Sequence, residues 1–173
     1  MEKTILVPLD GTVESEAILP KLENLVLRYV PSDKAEVILL KVISIVNFDV
    51  LTHDKRAQLP YTDADQEQYN TEAVAYLEKV ASPLRTKGFS VKTMVRTGTV
   101  AEEIVNAARE NKVNLIAMST HARSGFIHWA IGSVADKVVK LEGKIPVLAV
   151  QASEKEQSSV LPMSSLQSLV KHS

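Results

Sequence analysis

Two stretches of the chain place residues able to do chemistry where a buried segment gives way to a polar one. The first, ILVPLDGTVESE (residues 5–16), runs an apolar segment into Asp10, Gly11 and Thr12. A carboxylate in that position acts either as a reactant or as an acceptor that holds a ligand's hydroxyl groups. An Asp-Gly pair also makes a turn, and then the carboxylate only caps the segment that follows. The second stretch, MSTHARSGFIHWAIGSVADKVVK (Met118 to Lys140), opens from a buried segment into a polar loop and then into a helix beginning at Gly132 and Ser133. A helix N-terminus presents unpaired N–H groups and the positive end of the helix dipole, glycine lets an anion come close, and Ser133 adds a hydroxyl donor. The chemistry this suits is the holding of phosphate. The bland alternative is a turn glycine followed by an ordinary cap.

Other candidates weigh less. His53, His121 and His128 share no ligand spacing on a predicted helix, and neither cysteine nor an acid cluster accompanies them, so no metal site is assigned. Arg123 beside His121 reads equally as a phosphate contact and as a solvated loop charge. Trp129, the only tryptophan, falls in an apolar stretch and reads as core or interface. No nucleophile, general base or arginine finger stands out, so no catalytic residue is assigned.

The elements that must position these residues follow from hydrophobic pattern. TILVPL, EVILLKVIS and VNLIAMS are short, rich in Val and Ile, and almost wholly apolar, as is KIPVLAVQ near the end. Such continuous runs predict strands covered on both faces. FSVKTMVRTG alternates and reads as an edge strand. The intervening segments carry helical spacing: Glu14 to Tyr29, with Ala17, Leu22, Leu25 and Tyr29 inward and Pro20 forcing a kink or a late start; residues 64–86, with Tyr69, Ala73, Tyr76, Leu77 and Val80 inward; TVAEEIVNAARENK behind Thr99; and Ser133 to Leu141, stopped by the glycine of LEGK. Strand and helix alternate, which predicts a parallel sheet with helices on each side. Asp10 and the 118–123 loop then meet at the carboxyl edge of that sheet, where ligands collect at the point of reversal in strand order.

Composition narrows the class. A chain of 173 residues suits one domain, a net charge of −1 and a pI near 6.4 offer no basic footprint for nucleic acid, and the absence of cysteine removes disulfides and thiolate chemistry. Lys41 interrupts the longest apolar run, and no segment reads as a signal peptide or a membrane span, so the expectation is a soluble, intracellular protein. Residues 45–63 form a long connection of the kind used as a lid or binding segment, or left as padding. Beyond Gln151 the chain is polar and serine-rich, and only Val160, Leu161, Met163, Leu166, Leu169 and Val170 offer a short helix to dock.

ILVPLDGT, VILLKVI, VNLIAMSTHARSG, GSVADKVVK and IPVLAV, taken in order, resemble the universal stress protein family over about residues 1–151. The resemblance implies an α/β fold in a single domain: a five-stranded parallel sheet with helices on both faces, Rossmann-like, of the adenine nucleotide alpha hydrolase kind. Residues 1–151 form that domain and 152–173 a polar tail, partly disordered or a short docked helix. It implies ATP as ligand, with magnesium as a companion ion whose ligands the phosphates supply. Asp10 then holds ribose hydroxyls, Pro8 and Leu9 line the pocket, and the main chain of Val42 meets the adenine edge. Met118, Ser119 and Ala122 lie along the loop, while Gly132, Ser133 and Val134 hold the phosphates. The family's glycine motif is G-x-x-G, nine residues, then G-[ST]; this chain keeps the spacing but has Ser119 and Ala122 at the first two glycines. The resemblance also implies a cytoplasmic homodimer that meets through its last strands and answers to an unidentified protein partner.

Three functions follow from different classes. The first is a stress-response regulator that binds ATP and signals through the bound state, with hydrolysis slow at most. The second is a dimeric interaction scaffold of the same fold without nucleotide, which Ser119 and Ala122 favour. The third is a phosphatase of the haloacid dehalogenase type or a nucleotidyl transferase using Asp10. The phosphatase nucleophile belongs two residues before the acid of Asp-Gly-Thr, where this chain has Pro8, which has no nucleophilic atom.

Overall fold

The computed structural model describes residues 3–29, 35–44, 63–120 and 132–152. Residues 45–62 of the long connection and 153–173 of the polar tail lie outside the described residues. Five strands, β1 (Lys3–Pro8), β2 (Ala35–Ser44), β3 (Ser90–Gly98), β4 (Leu115–Thr120) and β5 (Val147–Gln151), form one sheet in the order β3-β2-β1-β4-β5. Every neighbouring pair is parallel. The alternating segment is indeed an edge strand, β3, and the last apolar run forms the other edge.

Successive side chains of a strand point to opposite faces, so each buried strand feeds two apolar layers. Ile5, Val7, Val37 and Leu39 pack with Ile18 and Leu22 of α2 (Ile18–Tyr29) and with Leu77, Ala81 and Leu84 of α3 (Asp63–Thr86). Leu6, Ile38, Leu40 and Ile116 pack on the other face with Ile104, Val105 and Ala108 of α4 (Val100–Glu110) and Val138 of α5 (Ser133–Glu142). The continuous Val/Ile/Leu runs are therefore explained by burial on both sides.

The first helix departs from its expected form. A single turn, α1 (Val13–Glu16), precedes α2, with the break at Ala17. Pro20 consequently sits in the first turn of α2, where a missing N–H costs no helical hydrogen bond. Tyr69, expected inward, is exposed, and so is Leu141 in the last turn of α5 (Ser133–Glu142). Tyr69, 41% exposed, lies in the second turn of α3. Leu141, 48% exposed, cedes the inward position of the last turn of α5 to Glu142, which Arg109 of α4 holds by an ion pair of 2.9 Å. Gly143 ends α5 at φ +63°, a left-handed conformation that suits glycine, as the LEGK sequence predicts.

Candidate functional site

The sheet order reverses between β1 and β4, and the two strands are joined unevenly. Their ladder pairs Ile5 with Leu115 and Leu6 with Ile116 and ends there, although β1 runs on to Pro8 and β4 to Thr120. On its other side β1 stays paired with β2 as far as Pro8 and Leu40, and Leu9 N–H donates to the Leu40 carbonyl at 2.8 Å. Alternate N–H groups of a strand point to opposite sides, so the donor missing at Pro8 is one that would have faced β4. A proline in the central strand of the sheet thus falls where no ladder bond is left to lose. The crevice at the carboxyl edge begins at that point.

On one side of the crevice stands the β1–α1 turn. Asp10 Oδ1 accepts hydrogen bonds from Thr12 N–H at 2.9 Å and from Thr12 Oγ1 at 2.6 Å, and Thr12 in turn caps α1 by accepting from Ser15 N–H at 3.1 Å. Asp10 N–H donates to Ser15 Oγ at 3.3 Å. The Asp10 carboxylate thus supports the turn through Thr12, which is the residue that caps α1; Asp10 also remains exposed at the strand end. Gly11 adopts φ +94°, which only glycine takes readily, so the Asp-Gly pair is a turn by conformational need.

The opposite side is built from β4 and α5. A Cβ added to Gly132 would lie 3.5 Å from Thr120 Cβ, so the start of α5 sits directly over the end of β4 despite the residues between them in sequence. Gly132 is the N-cap of α5 and supplies no side-chain hydrogen bond to the helix. Met118 is buried, the Ser119 hydroxyl is buried and has no hydrogen-bond partner among the described residues, Ser133 is exposed, and Val134 is half-buried. Pro8 is half-buried and Leu9 buried beneath the turn, while Val42 is half-buried on the face covered by α4 and α5. Ala122, with His121, Arg123, His128 and Trp129, lies outside the described residues, as does His53. No cluster of three or more metal-ligating side chains occurs among the described residues. Nor does any described helix have the length and apolarity to cross a membrane.

Lys41, Tyr76 and Glu16 were not singled out as site residues by sequence reasoning, yet they underlie the turn. Lys41 Nζ donates to the Asp10 carbonyl at 2.7 Å and lies 5.1 Å from the centre of the Tyr76 ring, whose hydroxyl donates to Glu16 Oε1 at 2.9 Å. Burial pushes the Lys41 ammonium below the ordinary lysine range, against the opposing pull of the Asp10 charge. Burial, reinforced by the bond to Glu16, pushes the Tyr76 hydroxyl well above the ordinary tyrosine range. The available signal was a charged residue inside an otherwise apolar strand, EVILLKVIS.

Comparison with known proteins agrees with this fold. The model of the universal stress protein family matches residues 1–151. Universal stress protein MJ0531 of Methanocaldococcus jannaschii is 29% identical over 154 residues, covering 89% of this chain and 85% of that protein. The solved structure of MJ0577, a universal stress protein of the same organism, superposes with a TM-score of 0.69 at 27% identity, over 89% of this chain and 99% of that one. A family protein of Arabidopsis thaliana, solved with AMP bound, shares the fold at a TM-score of 0.58 and 16% identity, over 91% of this chain and 96% of that one. With a five-stranded parallel sheet in the order β3-β2-β1-β4-β5 and a family match across all five strands, the chain belongs to the universal stress protein family.

Proposed function

We propose that this protein is a stress-response regulator that binds ATP at the carboxyl edge of its sheet and signals to a protein partner through the bound state, as a cytoplasmic homodimer paired through β5. The observation that carries the reading is the crevice between β1 and β4, with a carboxylate turn on one wall and an N-terminus lacking a side-chain cap on the other. A relative with the same fold holds AMP, which makes adenine nucleotide the natural class of ligand.

The residues present fit such a group. Asp10 is exposed beyond the last strand pair, where a carboxylate accepts from ribose hydroxyls, and the Val42 main chain lies at the end of β2 for the base edge. Gly132 adds no side chain over Thr120, so phosphate can approach the N–H groups of Ser133 and Val134 at the positive end of α5. The buried Ser119 hydroxyl, unpartnered among the described residues, offers a further polar atom at the end of β4. Bound ATP would supply the negative charge that these donors recognise, and magnesium would take its ligands chiefly from the phosphates. The site has no assigned nucleophile or base, and its role is to hold and to report.

Calorimetric titration with ATP, comparing wild type with Gly132→Val, tests this. The branched side chain blocks phosphate approach to α5, so affinity is expected to fall by about a hundredfold or more, the loss of charge-assisted bonds worth about 3 kcal/mol. A folded wild type that binds no adenine nucleotide would leave the scaffold reading, which Ser119 in place of glycine favours, as the better one. Tight binding that survives Gly132→Val would place the nucleotide elsewhere.

A further inference from the structure

Lys41 occupies a position where packing alone calls for an apolar side chain. It follows the fully buried Leu39 on the same face of β2, the face packed against α2 and α3. An ammonium there bears a desolvation cost, and a lysine retained only for its stem would turn its head out to water. Instead Nζ is directed onto the Asp10 carbonyl at 2.7 Å and over the Tyr76 ring at 5.1 Å. A Cβ built on Gly11 would come within 3.1 Å of the same nitrogen, so the ammonium lies directly against the turn. The ring beneath it is itself fixed, since Tyr76 donates its hydroxyl to Glu16 of α1 at 2.9 Å. One lysine therefore joins the end of β2, the Asp10–Gly11 turn and α3.

We propose that Lys41 is a positioning residue that holds the Asp10 turn in its ligand-accepting geometry and ties that geometry to α3 through Tyr76. The proposal rests on the nucleotide site described above and assigns Lys41 no contact with the ligand. The carbonyl it anchors belongs to the same residue whose carboxylate is oriented by Thr12, so freeing the carbonyl lets the Asp10 peptide rotate and disorders both bonds to Thr12. Arginine at 41 keeps the charge and an N–H donor; methionine keeps the stem and loses both.

The test uses Lys41→Met, Lys41→Arg, Tyr76→Leu and Tyr76→Phe in the full chain, with amide hydrogen exchange of Thr12 measured without ligand and calorimetric titration with ATP, adenosine and pyrophosphate. Lys41→Met is expected to raise Thr12 exchange by roughly tenfold or more and to weaken ATP and adenosine by similar factors, leaving pyrophosphate binding within about twofold. Lys41→Arg is expected to restore both readouts. Tyr76→Leu, which removes both the ring beneath the lysine and the bond to Glu16, is read against Tyr76→Phe, which removes the bond alone; both readouts are expected to shift further in Tyr76→Leu than in Tyr76→Phe, and that difference decides the matter should Lys41→Met fail to fold. Unchanged Thr12 exchange in a folded Lys41→Met protein, or equal exchange in Tyr76→Leu and Tyr76→Phe, overturns the proposal. Loss of pyrophosphate affinity also overturns it, because it would make Lys41 a phosphate ligand. A wild type that binds no nucleotide refutes the proposed function, and the exchange measurement still decides whether Lys41 holds the turn.

Discussion

The turn role of Asp10 and the ligand role proposed for it cannot be separated by a single substitution, and a pair of substitutions can separate them. Oδ1 accepts from Thr12 N–H at 2.9 Å and from Thr12 Oγ1 at 2.6 Å, so Asp10→Ala removes the turn's internal bonds together with any ligand acceptor. Asp10→Asn keeps an amide oxygen for Thr12 but loses the charge and puts an NH2 donor in place of the second carboxylate oxygen. Bonds to a charged acceptor are worth about 1.5–3 kcal/mol each when sheltered, and toward the bottom of that range at an exposed residue such as Asp10. Since both go to one oxygen, Asp10→Ala is expected to cost about 1–2 kcal/mol of stability, or roughly 2–8 °C in Tm for a domain of this size. Asp10→Asn should cost less than about 1 kcal/mol.

Nucleotide affinity should not follow that order. If the carboxylate accepts from the ribose, both variants lose about 1.5–3 kcal/mol of binding, a tenfold to hundredfold rise in Kd for ATP, while pyrophosphate binds as before. The assay is calorimetric titration of the three proteins with ATP and with pyrophosphate at one salt concentration, with thermal melts alongside. Asp10→Asn binding ATP as well as wild type would show that the charge is not used by the ligand. Asp10→Ala losing only stability would reduce Asp10 to its turn.

Further outcomes follow from other parts of the molecule. Arg109→Leu strands the 3%-exposed Glu142 side chain without its ion pair and leaves the Leu141 carbonyl without its 2.9 Å donor, so chemical denaturation should show a loss of about 1–3 kcal/mol, most of it recovered when Glu142→Leu is added. Because the Tyr76 hydroxyl is raised above its unfolded value near 10, the unfolded chain loses that proton first as pH rises, and stability should decline above about pH 10. Ultraviolet titration should accordingly find a tyrosine that resists ionisation until the fold is lost, and Tyr76→Phe should lower the resistant amplitude by one tyrosine. Ala122→Gly removes a methyl from the loop and should leave ATP affinity unchanged or tighten it by a few-fold, and a marked weakening would contradict the assignment of the loop to the phosphate site.

The parallel sheet was legible because burial on both faces leaves a mark that single residues cannot mask. β1, β2 and β4 appear as mainly apolar runs, broken in β2 by Lys41, and β3 betrays its edge position by alternation. Gly143 marked the end of α5 because its left-handed conformation nearly demands glycine. What stayed hidden depended on pairs distant in sequence. Glu142 took an inward position from Leu141 because Arg109, 33 residues away, neutralises it. Tyr69 has helical spacing, but periodicity alone does not show which turns of a helix are covered. At the site, Asp10 and Gly132 announced themselves by residue type, whereas Lys41 was visible only as an irregularity in an apolar run. Its partner Tyr76 lies on another element, and periodicity gave it a core role without a polar one.

The same two strands that part at the carboxyl edge are fastened at the amino edge. Asn114 N–H donates to the Thr4 carbonyl at 2.8 Å, and Thr4 N–H donates to Asn114 Oδ1 at 2.9 Å, a reciprocal pair just ahead of the Ile5–Leu115 and Leu6–Ile116 ladder. The β1–β4 junction is thus bonded firmly over its first residues and released over its last. Buried backbone groups left by such a parting need partners, and a proline at position 8 reduces that demand by removing one donor from the wall that faces β4. The parting of the two strands thus follows from backbone pairing, with the Asn114–Thr4 pair at one end and Pro8 at the other. Substitution at Ser119 leaves those fastenings in place, since Ser119 takes no part in the pairs that join β1 to β4 among the described residues.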